Sequence, residues 1–219
     1  MRSGPAWVSP DWPALKIPVN STGHSMLQGL MGIILTDTPI RYGLVSVLMH
    51  WLIALAYLGL FSVGWYMVTL DYYDPWYIDL PHWHKSIGML LLVIVLCSGV
   101  WRLTVNKPSS LQTHLDWEVK GSRIAHWLLG TGVLVVLMSG YLIPTAEGRG
   151  ILVFNWGTFP AAFSLPDQED ISGLVHRYVA YFILGLSVVH AGAALKHHFV
   201  DKDDTLRRML RISINRSQS

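Results

Sequence analysis

Apolar residues gather into four long runs divided by polar or aromatic segments, near Leu44–Leu70, Ser86–Leu103, Ile124–Ile143 and Leu174–Leu195. Each is close to the roughly 20 residues a helix needs to cross a hydrocarbon core. Within such a core every backbone N–H and C=O must be paired inside the segment, which makes runs of this kind helical. The pattern therefore predicts an all-α, integral membrane four-helix bundle over residues 37–211, with no internal repeat and no second domain. Residues 1–36 show no clear period and carry Pro5, Pro10, Pro13 and Pro18, the character of a disordered or peripheral leader. The apolar run Met26–Leu35 inside it is too short to span, and no signal-peptide pattern stands out. Residues 212–219 read as a short tail.

Charge orients the bundle. Arg41 precedes the first run; Arg102, Lys107, Lys120 and Arg123 follow the second; Lys196, Lys202, Arg207, Arg208, Arg211 and Arg216 follow the fourth. The other two connections are acidic, with Asp71, Asp74 and Asp79 in one and Glu147, Asp167, Glu169 and Asp170 in the other, against only Lys85, Arg149 and Arg177. The bias of Lys and Arg toward cytoplasmic loops predicts that both termini are cytoplasmic and the acidic loops face outward.

Composition agrees: 52% of the 219 residues are hydrophobic and 14% charged, too apolar for an ordinary soluble domain. The lipid bilayer is thus the expected surrounding partner, and a net charge of +2 gives no reason to expect nucleic acid. Trp51, Trp65, Trp76, Trp83, Trp101 and Trp127 sit at or near span ends, as interfacial anchors do. Cys97, the single cysteine, excludes an internal disulfide or a cysteine-ligated iron–sulfur cluster within one chain.

Candidate chemistry lies in the histidines. His176 and His190 are fourteen residues apart in one run. That spacing puts both on nearly one helix face, about 21 Å apart along the axis. His50 matches the depth of His190, and His84 that of His176, so two depth-matched pairs arise from three spans. Imidazole is a common haem ligand, and ligation on both faces leaves no open position for oxygen, which suits electron transfer. The pairs read as axial ligands of two stacked haems. Zinc fits poorly, because the pairs are too far apart for one tetrahedral site and each lacks further ligands. His126 competes with His50 for the inner position or contacts a substrate or propionate. His82 competes with His84, but Pro81 puts His82 in the loop. His197 and His198 end the fourth run, where they could serve a quinone headgroup, a propionate or the interface. His24 and His114 lie outside the spans, with no role expected. The long connection Pro144–Ser172 is a candidate cap over the outer haem.

Several motifs resemble the bacterial cytochrome b561 family. They are Arg41-Tyr42-Gly43 with Met49-His50-Trp51, His84-Lys85-Ser86-Ile87-Gly88, Ser139-Gly140-Tyr141-Leu142, and His190-Ala191-Gly192-Ala193-Ala194-Leu195-Lys196-His197-His198-Phe199 followed by Asp203-Asp204-Thr205-Leu206-Arg207-Arg208-Met209. The likeness runs from about Asp37 to Arg211. It implies a four-helix cytochrome of the bacterial inner membrane carrying two haem b groups, with ligands from spans one, two and four at His50, His84, His176 and His190. It also implies electron exchange with ubiquinone, for which Arg41, Lys120, His126, His197 and His198 are candidate contacts. One relative of this kind is similar to a superoxide oxidase, and Lys120, Arg123 and His126 could steer such an anion. Two rival readings remain: a haem-bearing anchor that passes electrons for a separate dehydrogenase as redox partner protein, and a colourless histidine-lined transporter.

Overall fold

A computed structural model describes residues 35–106, 108–109 and 115–210. His24, His114, nearly all of the leader and the tail beyond residue 210 lie outside the described residues. Four long helices follow one another: α1 (Leu44–Met67), α2 (Asp79–Thr104), α3 (Asp116–Leu142) and α4 (Gln168–Phe199). All four are long and apolar enough to cross a membrane. A two-stranded hairpin, β1 (Ile151–Val153) with β2 (Gly157–Phe159), lies between α3 and α4, and a short helix α5 (Thr205–Leu210) follows α4. The protein is a membrane helical bundle. The end where α1 begins and α4 finishes is called the terminal end below, and the opposite end the hairpin end.

Helices α2, α3 and α4 begin about two turns ahead of the apolar runs. An apolar window marks only the stretch immersed in lipid, whereas the helix continues through the interface. There Asp79, Asp116, Glu118, Glu169 and Asp170 occupy first turns and favour the positive end of the helix dipole. Pro81 falls in the first turn of α2, where its missing N–H has no partner to lose. His82 is therefore helical, which corrects its expected place in a loop, and its ring leans on Trp83 at 6.0 Å. Likewise α4 runs on past Leu195 and takes His197 and His198 into its last turn.

Seven-residue steps organise the interior, two helical turns being just over seven residues. The steps are His50, Tyr57 and Gly64 on α1; His84, Leu91 and Ser98 on α2; His126, Val133 and Gly140 on α3; and His176, Ile183 and His190 on α4. Tyr57, Leu91, Val133 and Ile183 all belong to the buried core, with Leu60, Leu92 and Leu137. A dry layer thus separates two histidine-bearing layers. Helix α3 packs most extensively on α4, and α1 on α2. The large apolar side chains pointing away from this interior, such as Leu52, Leu55, Val93 and Val188, are exposed in the way a lipid-facing surface requires.

Hydrogen bonds close both ends. At the hairpin end Phe154 and Asn155 form a left-handed turn (φ 47° and 60°), closed by the Trp156 N–H on the Val153 carbonyl at 2.9 Å. The Phe154 N–H donates to the buried Ser86 hydroxyl at 3.0 Å, pinning the hairpin to α2. The Tyr141 hydroxyl donates to the Pro160 carbonyl and accepts from the Ala162 N–H. At the terminal end the Trp51 indole donates to the Met209 carbonyl at 3.0 Å, and Arg208 donates to the Ser109 carbonyl at 2.9 Å, folding α5 back onto the bundle. Tyr42 sits in this region; burial first, then Asp37, raise its phenol above the ordinary range, while Arg102 and Arg208 pull the other way.

Candidate functional site

The bundle brings the four histidines together as two pairs. At the terminal end the rings of His50 on α1 and His190 on α4 stand 6.3 Å apart between centroids, at 62°. At the hairpin end His84 on α2 and His176 on α4 also stand 6.3 Å apart, at 74°. An imidazole nitrogen binds a first-row metal at about 2 Å, with the ring centroid about 1 Å further out, so two rings in line across one ion stand about 6 Å apart. Both pairs meet that requirement. His126 and His190, at 4.9 Å, are too close for it.

Hydrogen bonding fixes which nitrogen faces inward at the hairpin end. His176 Nδ1 lies 2.8 Å from the Val136 carbonyl of α3. A carbonyl oxygen only accepts, so the proton is on Nδ1 and the lone pair on Nε2, the arrangement a metal-ligating histidine needs. Ser139 Oγ donates to the same carbonyl at 2.9 Å and stands 3.4 Å from His176 Nδ1. Across from it, His84 Nδ1 is buried with no hydrogen-bond partner among the described residues. A buried polar nitrogen left so costs about 1–3 kcal/mol, a cost that a bound group can offset. An apolar cleft of about 420 Å³ opens beside that ring, lined by Ala56, Gly59, Leu60, Val63, Trp83 and His84. Gly64 faces the ring directly: a Cβ there would lie 3.1 Å from His84 Cε1. Donors, spacing and cleared surface all fit a flat metal-bearing group.

The other candidates separate. His126 is exposed on α3, donates Nδ1–H to the Ser122 carbonyl at 2.6 Å, and touches His190. Among the described residues it is the one further candidate in ring contact with a paired histidine. Arg41 lies in a turn with Thr38 ahead of α1, and Lys120 is exposed on α3. His197 faces Asp201 at 2.7 Å and Asp203 at 3.4 Å, and His198 packs on Phe199 at 4.8 Å. Glu118, His197 and Asp201 converge closely enough to hold a cation. The chain already supplies one, since the Lys196 ammonium lies 2.8 Å from both carboxylates. The hairpin of the long connection is fastened to α2 two residues from His84, through the Phe154 N–H on the Ser86 hydroxyl. Sequence reasoning passed over Val136, because a backbone acceptor leaves no residue-type signal.

Four helices long and apolar enough to cross a membrane, with histidines paired across the interior, define a helical membrane protein. The chain belongs to the prokaryotic cytochrome b561 family, whose pattern matches residues 41–211. It is 43% identical over 176 residues to cytochrome b561 homolog 2 of Escherichia coli (strain K12), covering 80% of this chain and 94% of that protein. It is 27% identical over 178 residues to the probable superoxide oxidase CybB of Yersinia pestis, covering 78% and 96%. Cytochrome b561 homolog 1 of Escherichia coli is 23% identical over 180 residues, covering 78% and 97%. Membership makes the chain a multi-pass inner-membrane electron-transfer protein of a b-type haem family.

Proposed function

We propose that the chain holds two b-type haems, one between His50 and His190 and one between His84 and His176, and moves single electrons across the membrane between a donor and ubiquinone. The repeated 6.3 Å ring separation at two depths is the observation that carries this reading. A bound b-type haem supplies a one-electron iron couple. The chain's own residues do the rest. The four imidazoles would hold the two groups, and the layer of Tyr57, Leu91, Val133 and Ile183 keeps water from the space between the pairs.

Ubiquinone docks at the terminal end against His126 in this proposal. That residue is exposed, so a headgroup can reach it, and it touches His190, a proposed ligand. Arg41, Lys120, His197 and His198 are further contacts for a headgroup or propionate at the same end. The Lys and Arg bias supports a cytoplasmic terminal end, which a carboxy-terminal reporter that matures only in the cytoplasm reads out. Superoxide, named in the Yersinia relative, is the more specific donor reading; addition of superoxide to the oxidised protein should then reduce it. Isolation only as a complex with a soluble dehydrogenase would favour the anchor role instead.

The deciding experiment is a reduced-minus-oxidised spectrum with haem quantified per polypeptide. Two low-spin b-type haems, insensitive to carbon monoxide, are expected. One haem or a colourless protein overturns the proposal.

A further inference from the structure

The two histidine layers differ in what lies against the rings. At the hairpin end the α3 position is Gly140; one seven-residue step twice removed, at the terminal end, the same helix carries His126. A Cβ on Gly140 would lie 2.9 Å from His176 Cε1 and 3.1 Å from Nδ1, closer than real side chains pack. Gly140 follows Val136 by four residues, so it sits directly above the Val136 carbonyl on the same helix face. Any larger residue there would press on the Cε1–Nδ1 edge of the ring, the edge that carries the donor to that carbonyl. On α1, Gly64 clears the surface against His84 in the same way. Among the described residues no glycine faces His50 or His190, and neither ring makes a hydrogen bond like that of His176.

We propose that Gly140 is a positioning residue: its missing side chain lets His176 donate to the Val136 carbonyl, and that bond sets the orientation and donor strength of the imidazole. The inference rests on the reading of His176 as an axial ligand. A helix carbonyl has two lone pairs. One serves the N–H four residues on, and the other is shared here between His176 and Ser139. Donation from the far nitrogen makes an imidazole a stronger ligand and so favours the oxidised metal. The centre at the hairpin end is therefore the lower-potential one, and electrons entering there run downhill to the terminal end. Ser139 acts as a competitor for the carbonyl, which gives the proposal two variants of opposite sign.

The test is a potentiometric titration of the haem-loaded protein in detergent, followed in the visible, with low-temperature electron paramagnetic resonance of the ferric state. Gly140→Ala should weaken the His176 bond and raise the potential of the hairpin-end centre. At fixed ambient potential its ratio of reduced to oxidised form should rise three- to tenfold, the upper figure being about 59 mV for one electron. Its ferric signal, which reports the angle between the imidazole planes, should move as well. Ser139→Ala adds no volume and frees the carbonyl for His176, so the same potential should fall. Gly185→Ala, on an open face of α4, should change neither readout. Parent-like potential and spectra in both Gly140→Ala and Ser139→Ala would overturn the proposal. If Gly140→Ala does not assemble, Ser139→Ala decides alone, a fall supporting the proposal and no shift overturning it. Retention of the hairpin-end haem by His176→Ala would instead overturn the ligand reading on which it rests.

Discussion

Tyr57 on α1 donates its phenolic O–H to the Ala180 carbonyl on α4 at 2.7 Å, inside the layer that separates the two histidine pairs. The phenol is nearly buried, at 6% exposure. Close by, Phe61 and Tyr181 meet edge to face at 5.4 Å. The two contacts bridge α1 and α4, the helices that carry His50 and His190. Tyr57→Phe keeps the ring and removes the bond. A net cost of about 0.5–1.5 kcal/mol is expected, because the Ala180 carbonyl keeps its place in the α4 ladder. Thermal unfolding in detergent should show a modestly lower midpoint with both haems retained; haem loss at ordinary temperature would mean that the tyrosine does more than brace.

The paired histidines predict selective loss. His176→Ala should remove the haem at the hairpin end and leave the other, and His190→Ala should do the reverse, each halving haem per polypeptide. Added imidazole should restore part of the lost absorbance, since the cleared space accepts the free ring. Two haems remaining in either variant would show the ligand assignment to be wrong.

Close approach of α3 and α4 predicts a volume-sensitive spot. Ile183 has no exposed surface, and a Cβ on Gly132 would run into its Cδ1. Gly132→Ala should therefore destabilise the bundle by about 1–3 kcal/mol through overpacking. Ile183→Val alone should cost about 0.5–1.5 kcal/mol. Together they should cost less than the sum, because the shorter side chain removes the worse of the two collisions that the alanine creates, the one with Cδ1, and leaves only Cγ1 to shift. Simple additivity in the double variant would place the strain elsewhere.

Long apolar runs made the four helices legible in the sequence, since a continuous stretch of that length has one stable conformation in lipid. The depth pairing of His50 with His190 and His84 with His176 was legible for a related reason: a helix converts sequence spacing directly into height. Helix ends were not, because polar residues such as Asp116 and Glu118 lie in the interface rather than the hydrocarbon, and His82 was misplaced by reading Pro81 as a break rather than a first-turn residue. The hairpin escaped because its strands are three residues each and are held by a side chain, Ser86, that is distant in sequence. The contact of His126 with His190 depends on how α3 rotates against α4, which no single run specifies. Val136 contributes through its backbone, and residue type says little about that.

Ser86 is the point where the hairpin end is most vulnerable. It is fully buried on α2, and its hydroxyl is the acceptor for the Phe154 N–H. Phe154 is held at φ 47°, a conformation that side chains other than glycine's adopt at a cost of about 1–3 kcal/mol and keep only where neighbours fix them. Its ring also packs on Trp83 at 5.8 Å and on Trp156 at 4.9 Å. Ser86→Ala removes the acceptor without adding volume and leaves the N–H unpaired, worth a further ~1–3 kcal/mol. The stacked rings alone do not specify the left-handed turn, so the hairpin should open more often while the helices and the four paired histidines stay in place. Limited proteolysis should cut between residues 151 and 159 several-fold faster than in the parent, with haem content unchanged. An unaltered cleavage rate would mean that the aromatic contacts hold the hairpin by themselves, and that the serine is buried only to spare α2 a larger side chain.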